Sequence, residues 1–195
     1  MEKKYKLTDE TINVDGRILH RIEALKDFNN VKKGDKGGFI EKEDNLSQNG
    51  NCWVYDNAKV YGNAKIYGNA VVFGNAEVFD SAAIYDNALV CDNVEVCNNA
   101  RIYGYGEVYN NAVVRDNAEV YGKARIFDDV EIYGNAQVYD KAEVCENAEV
   151  YGNAKIYGNA RVYCDTVVCD KAEVCGYSKI YGNAVICGNM KVCRK

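Results

Sequence analysis

A six-residue repeat governs this sequence from Val54 to the last residues given. Val54, Val60 and every sixth residue up to Val192 are Val or Ile. A small residue, usually Ala, follows most of them four positions later, and a turn pair such as Gly62-Asn63 or Asp86-Asn87 lies between. A short, fixed period indicates a solenoid, in which each repeat packs only on its neighbours.

The hexapeptide predicts the local geometry of each repeat. The β-branched residue is stiff at χ1 and suits a buried, pleated surface, so we expect it to point inward. Its two neighbours then point outward, because side chains alternate along a strand. Gly and Asn tolerate positive φ and turn the corner, and Ala fits inside that corner. The complete absence of proline leaves every backbone N–H free for hydrogen bonds between coils.

The motif Ile66-Tyr67-Gly68-Asn69-Ala70-Val71 resembles the repeat of left-handed parallel β-helices. It differs from the commoner form of that repeat by placing Tyr directly after the aliphatic residue and Gly one position later. The resemblance implies an all-β protein in which three edges close a triangular coil of about eighteen residues. We therefore predict a hexapeptide-repeat solenoid of about eight coils over residues 46–195.

Residues 1–45 lack the repeat and are interpreted as an N-terminal capping segment. The stretch 11–19 predicts a β-hairpin with an Asp15-Gly16 turn, and 32–40 predicts a tight loop followed by a short strand. A cap is required because the first coil of a solenoid exposes apolar core and unpaired strand edges. The glycines at 34, 37 and 38 are interpreted as part of this cap, not as a phosphate-binding loop.

The segments 34–41, 45–47 and 50–55 resemble an uncharacterised group of bacterial and phage hexapeptide-repeat proteins labelled as acyltransferases. Enzymes of that architecture use a histidine as general base, beside a cleft between subunits. This chain has one histidine, His20, and it falls in the cap; the repeats contain no inserted loop. We predict no catalytic residue and no cofactor, with an acyltransferase-like enzyme that has an intersubunit site as the alternative.

The cysteines follow the repeat. Of the nine, Cys169 and Cys187 are one coil apart, as are Cys175 and Cys193. Stacked parallel strands direct both side chains the same way, so a disulfide is expected to be strained. No CxxC spacing suggests zinc. We predict reduced thiols, no metal site and a cytoplasmic protein, since no apolar run resembles a signal peptide or a membrane span.

Three surfaces stand out when residues eighteen apart are placed on one face. The first is an outward tyrosine ladder, spanning about 24 Å at the spacing of β-strands, which serves either to stabilise the solenoid or to bind a partner. Its members are Tyr67, Tyr85, Tyr103, Tyr121, Tyr139 and Tyr157.

The second surface is more apolar than a solvated face should be, which indicates that something covers it. The favoured cover is the cap folded back along this face, and a subunit contact is the alternative. Its members are Trp53, Tyr55, Val71, Phe73 and Leu89, with Cys91 beside them.

The third surface is acidic, in a chain with a net charge of −5. Its glutamates are Glu77, Glu95, Glu131 and Glu149, and the corner beside them carries Asp56, Asp92, Asp128 and Glu146. Carboxylates disfavour direct nucleic-acid binding, which requires a basic stripe. They suit a protein partner with a basic surface.

Together these features predict a non-catalytic, rigid scaffold that binds protein. One specific version is an inhibitor encoded by a phage or mobile element that occludes a basic or nucleotide-binding surface of a host enzyme. A homo-oligomer is expected, and a self-assembling filament built through the strand edge near Val192–Lys195 is a further alternative.

Overall fold

Parallel pairing of strands whose register partners lie eighteen residues apart builds this protein. The structure, a computed structural model, describes residues 2–195. Each regular coil contributes three short strands, nearly all of two residues, and each strand pairs in register with the strand one coil away: Leu89 and Val90 pair with Val71 and Val72, for example. The predicted all-β parallel solenoid with an N-terminal hairpin is confirmed.

The strands form three sheets, named here by residues that lie in their strands or directly after them. The glutamate sheet contains, in order, β1 (Tyr5–Val14), β2 (Arg17–Ala24), β3 (Lys36–Ile40), β5 (Lys59–Val60), β8 (Glu77–Val78), β11 (Glu95–Val96), β14 (Val113–Val114), β17 (Glu131–Ile132), β20 (Glu149–Val150), β23 (Val167–Val168) and β26 (Val185–Ile186).

The tyrosine sheet contains β6 (Lys65–Ile66), β9 (Ala83–Ile84), β12 (Arg101–Ile102), β15 (Glu119–Val120), β18 (Gln137–Val138), β21 (Lys155–Ile156), β24 (Glu173–Gly176) and β27 (Lys191–Arg194). The Trp53 sheet contains β4 (Trp53–Val54), β7 (Val71–Val72), β10 (Leu89–Val90), β13 (Glu107–Val108), β16 (Arg125–Ile126), β19 (Glu143–Val144), β22 (Arg161–Val162) and β25 (Lys179–Ile180). One short 3₁₀ helix, Glu43–Asn45, precedes the regular coils, and no helix within residues 2–195 is long and apolar enough to cross a bilayer.

The core is a thin column of small aliphatic side chains. Val and Ile at the sixth positions and Ala at the corners are fully buried from Val54 to Val174, as at Ile132 and Ala136. The outward neighbours of the aliphatic residues are half-buried or exposed in most coils. The predicted alternation therefore describes how each repeat packs.

The corners depend on backbone conformations with positive φ. Corner residues such as Gly74 and Asp92 have φ values of 73° and 64°. Where the corner residue is Asp, its carboxylate accepts a hydrogen bond from the backbone N–H of the corner residue one coil later. Asp92 Oδ2 accepts from Asn110 at 3.0 Å, and Asp116 Oδ2 from Gly134 at 3.0 Å. The corner aspartates thus join consecutive coils.

The coil series begins earlier than the hexapeptide repeat. Strand β3 pairs parallel with β5, and Leu46 forms a parallel bridge with Ile66, so Ile40, Leu46 and Val54 make a coil of their own. This raises the number of turns to about nine, compared with the eight predicted, because this coil spaces its inward residues irregularly and lacks the repeat. The division of the chain at residue 45 stays a prediction.

The predicted hairpin covers the first edge of the glutamate sheet. Strands β1 and β2 are antiparallel and meet at the turn formed by Asp15 and Gly16, both with positive φ. Strand β2 then pairs antiparallel with β3. Gly37 and Gly38 lie within β3, where a Cβ at Gly38 would come within 2.5 Å of the Ala58 carbonyl oxygen. These glycines permit close packing of β3 on the next coil.

An aromatic cluster attaches the cap to the first regular coil. The Trp53 ring is buried against Phe28 and Tyr5, with ring centroids 5.3 and 6.1 Å away. The Tyr5 hydroxyl donates a hydrogen bond of 2.6 Å to the Leu46 carbonyl. Lys4 is also buried, and its Nζ donates to the Cys52 carbonyl at 2.8 Å.

Because Trp53 is the only tryptophan, its fluorescence reports directly on cap docking. Tyr5→Ala is expected to lower the free energy of unfolding by about 3 kcal/mol, the scale of removing a buried aromatic ring, and to shift Trp53 emission to longer wavelength as water reaches the indole. Phe127→Ala removes a ring from the outer surface several coils away and serves as the control, with emission unchanged. An unshifted spectrum in Tyr5→Ala would contradict this packing.

Candidate functional site

The glutamate face brings carboxylates into register on neighbouring strands. Glu77 pairs directly with Glu95 across β8 and β11, and Glu131 pairs with Glu149 across β17 and β20. Val113 on β14 separates the two pairs. The ladder thus places all four predicted glutamates on one face, as two stacked pairs.

The members of each pair differ in their partners. Glu77 accepts from Lys59 Nζ at 2.6 Å, and Glu131 from Arg115 Nη2 at 3.1 Å. In the described part of the chain, neither Glu95 nor Glu149 has a basic nitrogen within 4 Å. These two side chains are exposed, whereas Glu77 and Glu131 are half-buried. Each pair therefore presents one exposed carboxylate that lacks a basic partner.

The corner carboxylates beside this face lie where the sequence predicts, but three of them have a structural role. Asp56, Asp92 and Asp128 accept hydrogen bonds from the backbone N–H groups of Gly74, Asn110 and Glu146. Glu146 lies beside the Cys164 thiol of the next coil. The spacing of eighteen residues between one positive-φ corner and the next is the signal that identifies this role.

The tyrosine ladder is a continuous stack of rings. Successive centroids from Tyr67 to Tyr157 are 4.8 to 5.0 Å apart, and the planes are within 4° of parallel. Each inner ring therefore has both faces covered by its neighbours, and only edges and hydroxyls reach the surface. The Tyr103 and Tyr157 hydroxyls donate to Glu119 and Glu173. This geometry suits mutual stabilisation of the coils; a binding role for the ladder stays a prediction.

The predicted apolar face is covered at its first residue. Trp53 is buried by Tyr5 and Phe28 of the cap, and Tyr55 packs beside it at 6.4 Å between ring centroids. Val71, Phe73 and Leu89 are half-buried on the following coils. The cap thus lies over the start of this face, and a subunit contact along the remainder stays a prediction.

His20 lies in β2, in the antiparallel part of the sheet. It is distant in sequence from the glutamate pairs. It pairs with Thr11 on β1 and Ile40 on β3, and its Nδ1 lies 3.0 Å from the Thr8 carbonyl oxygen. The ring is half-buried. This hydrogen bond fixes the ring orientation within the hairpin.

Two of the cysteines are not the reduced thiols that the sequence predicts. The structure joins Cys175 and Cys193 in a disulfide with a Cα–Cα distance of 4.5 Å. In-register parallel strands bring the two Cα atoms inside the range that disulfides require. Cys169, Asp170 and Cys187 also converge, with their ligand atoms within 4.8 Å of one another. The eighteen-residue spacing places Cys169 and Cys187 one coil apart, but the approach of Asp170 depends on the backbone conformation of the corner, which the sequence does not reveal.

Comparison with known proteins agrees with the fold. The YdcK β-solenoid repeat family model matches residues 154–170. The chain is 42% identical over 62 residues to the Uncharacterized acetyltransferase YdcK of Escherichia coli (strain K12). That match covers 28% of this chain and 19% of YdcK, so the chain spans about a fifth of its relative's length. The predicted resemblance to uncharacterised hexapeptide-repeat proteins labelled as acyltransferases is confirmed.

The tyrosine ladder is expected to make the free energy of unfolding decrease at alkaline pH. Burial, with the neighbouring Tyr121 and Tyr157, raises the pKa of Tyr139 from 10.0 to about 12. The folded state thus holds the phenol proton more tightly than the unfolded state does, so this contribution is intact below pH 10 and is lost as the pH rises through about 12. We expect the urea midpoint of unfolding to fall over that range.

The variant Tyr139→Phe has no ionisable group at this position. Its urea midpoint is therefore expected to fall less steeply with pH than that of the unmodified protein. Tyr177→Phe alters an exposed tyrosine outside the ladder and is the matched control, with an unchanged slope. Equal slopes for all three proteins would contradict the argument.

Proposed function

We propose that this β-solenoid is a non-catalytic, rigid scaffold that binds a protein partner with a basic surface through its glutamate face. One observation carries the proposal: glutamates stack directly on glutamates in two neighbouring-strand pairs. Like charges directly opposite each other destabilise a sheet. A basic partner offsets this repulsion, so the arrangement favours binding rather than folding.

The other ladder positions show how the solenoid usually arranges charge. Arg101 pairs with Glu119 on the tyrosine sheet, and Lys191 bonds Glu173 at 2.6 Å. On the Trp53 sheet, Glu143 lies within 3.0 Å of Arg161. Opposite charges thus face each other at most charged positions of these two sheets, although Arg161 also lies opposite Lys179 on the Trp53 sheet. Stacked glutamates on the third sheet contrast with this neutralising pattern.

The corners strengthen the negative potential of the glutamate face. Asp56, Asp92, Asp128 and Glu146 flank one side, and Asp80, Asp116 and Asp170 flank the other. A concentrated negative field attracts basic surfaces and raises association rates, whereas a nucleic acid would be repelled. A pre-formed sheet surface also loses little conformational entropy on binding.

A narrower form of the proposal is an inhibitor, encoded by a phage or mobile element, that occludes a basic or nucleotide-binding surface of a host enzyme. Binding along several coils would cover such a surface without any chemistry by the scaffold. Self-association into a homo-oligomer or a filament is compatible with this role and remains a separate prediction.

The test uses charge reversal at the two exposed glutamates without basic partners. Full-length protein and the variant Glu95→Lys/Glu149→Lys are used to capture partners from lysate of the native host. The captured protein's association is then measured with purified components at two salt concentrations. We expect one stoichiometric protein partner, and an association rate at least about tenfold lower for the variant because electrostatic attraction is lost.

The matched control is Asp9→Lys/Asp44→Lys, which changes the net charge equally at exposed sites in the cap region. It is expected to associate at the rate of the unmodified protein. A partner that binds all three proteins equally would contradict recognition by the glutamate face. Absence of any stoichiometric partner would contradict the scaffold proposal itself.

The name of the E. coli relative supports a second candidate function, acetyl transfer. Along one corner of three successive coils lies a shallow groove of about 460 Å³ beside Lys123 and Lys141, and no histidine lines it. Acetyl transfer by this chain that is abolished by His20→Ala, with Trp53 emission unchanged, would support this candidate over the first.

A further inference from the structure

We infer that Cys169, Asp170 and Cys187 form a binding site for a thiophilic metal ion such as Zn²⁺. The two cysteines follow the paired residues Val168 and Ile186 on β23 and β26. The Cys169 N–H donates to the Ile186 carbonyl at 2.9 Å, which fixes the relative position of the two strands. Consequently both side chains leave the sheet in the same direction, one coil apart.

The distances match those of metal ligands. All three ligand atoms lie within 4.8 Å of one another. With a Zn–S distance of about 2.3 Å, two sulfurs of a tetrahedral site lie about 3.8 Å apart. Small side-chain rotations therefore bring both sulfurs and one carboxylate oxygen onto a single ion. Water is expected to supply the fourth ligand.

Neighbouring groups hold the ligands in place. Asp170 Oδ2 accepts a hydrogen bond from the Gly188 N–H at 3.0 Å, which orients the carboxylate and leaves its other oxygen available. The Tyr151 hydroxyl, one coil before, lies beside the Cys169 sulfur. Outer contacts of this kind orient metal ligands and tune their affinity.

The site is accessible from one side. Cys169 is buried, Cys187 is half-buried and Asp170 is exposed. An ion can thus enter past Asp170 while Cys169 shields the inner side. Binding replaces the protons of the two thiols, so the bound ion would be held by two thiolates and a carboxylate.

The second cysteine pair on the same coils provides a comparison. Cys175 and Cys193 are joined in a disulfide, and Gly176, which follows Cys175, supplies no side-chain ligand. Cys169 and Cys187 are not joined, and Asp170 occupies the corresponding corner. The carboxylate therefore distinguishes the proposed metal site from the pair that forms a disulfide.

Titration of the metal-free full chain with Zn²⁺, without added reductant, tests the site. We expect one bound zinc per chain by elemental analysis, and thiolate-to-metal charge-transfer absorption when Co²⁺ replaces Zn²⁺. Cys187→Ser is expected to abolish both signals. Asp170→Asn keeps an acceptor for the Gly188 N–H but removes the charge, and we expect at least about tenfold weaker binding.

Two controls separate the site from other thiols. Cys97→Ser removes a cysteine with no in-register partner, and Cys193→Ser removes the disulfide; both are expected to retain one zinc per chain. Trp53 emission and the circular dichroism spectrum verify that each variant is folded. Zinc binding that survives in folded Cys187→Ser, absence of zinc binding, or a Cys169–Cys187 disulfide in the isolated protein would each overturn the proposal.

Discussion

The structure depends on one constraint, the in-register parallel pairing of each strand with the strand eighteen residues later, which is held by backbone hydrogen bonds from N–H groups to carbonyls seventeen positions ahead. The bonds recur along every face, for example from Lys59 N to the Ala76 carbonyl at 2.8 Å and from Tyr121 N to the Val138 carbonyl at 3.0 Å. A parallel ladder offers no freedom to slip, because a shift of one residue would turn the buried Val and Ile residues to the outside. The ladder therefore fixes which side chains are neighbours.

That constraint stacks similar side chains, with consequences that depend on their chemistry. Stacked tyrosines and asparagine ladders such as Asn99 to Asn117 gain favourable contacts from it. Stacked glutamates gain none, since their charges repel. Stacked cysteines are joined in a disulfide at Cys175 and Cys193, and at Cys169 and Cys187 they lie close enough to serve as the metal ligands that we propose. The proposed protein-binding face and the proposed metal site thus both arise where the ladder brings glutamates or cysteines together although the fold does not require these contacts.

Much of this could be predicted from the sequence because the repeat period fixes the coil. The period of six identified the inward Val and Ile residues, and the eighteen-residue coil grouped the tyrosines and glutamates on their faces. The first coil was missed, since Ile40, Leu46 and Val54 are not evenly spaced and their pairing depends on contacts with later coils. The backbone hydrogen bonds of Asp92 and its equivalents were also missed, because they require φ angles that composition does not reveal.

The same limit applies to the cysteines. The sequence placed Cys169 and Cys187 one coil apart, but their convergence with Asp170 depends on how the corner turns. Likewise, the sequence could indicate a cap but could not show that Tyr5 and Phe28 bury Trp53, because those contacts join segments far apart in the chain. Local repeats are thus readable from sequence, whereas contacts outside the repeat are not.

The central claim is that register between coils governs this molecule, and deletion of one complete coil tests it most directly. Removing residues 91–108 joins Val90 to Tyr109 and preserves every later pairing; removing residues 91–99 joins Val90 to Ala100 and breaks the six-residue phase. Cooperative unfolding, monitored by circular dichroism, is expected to persist in the first variant and to be lost in the second. Equal stability of the two variants would contradict the account.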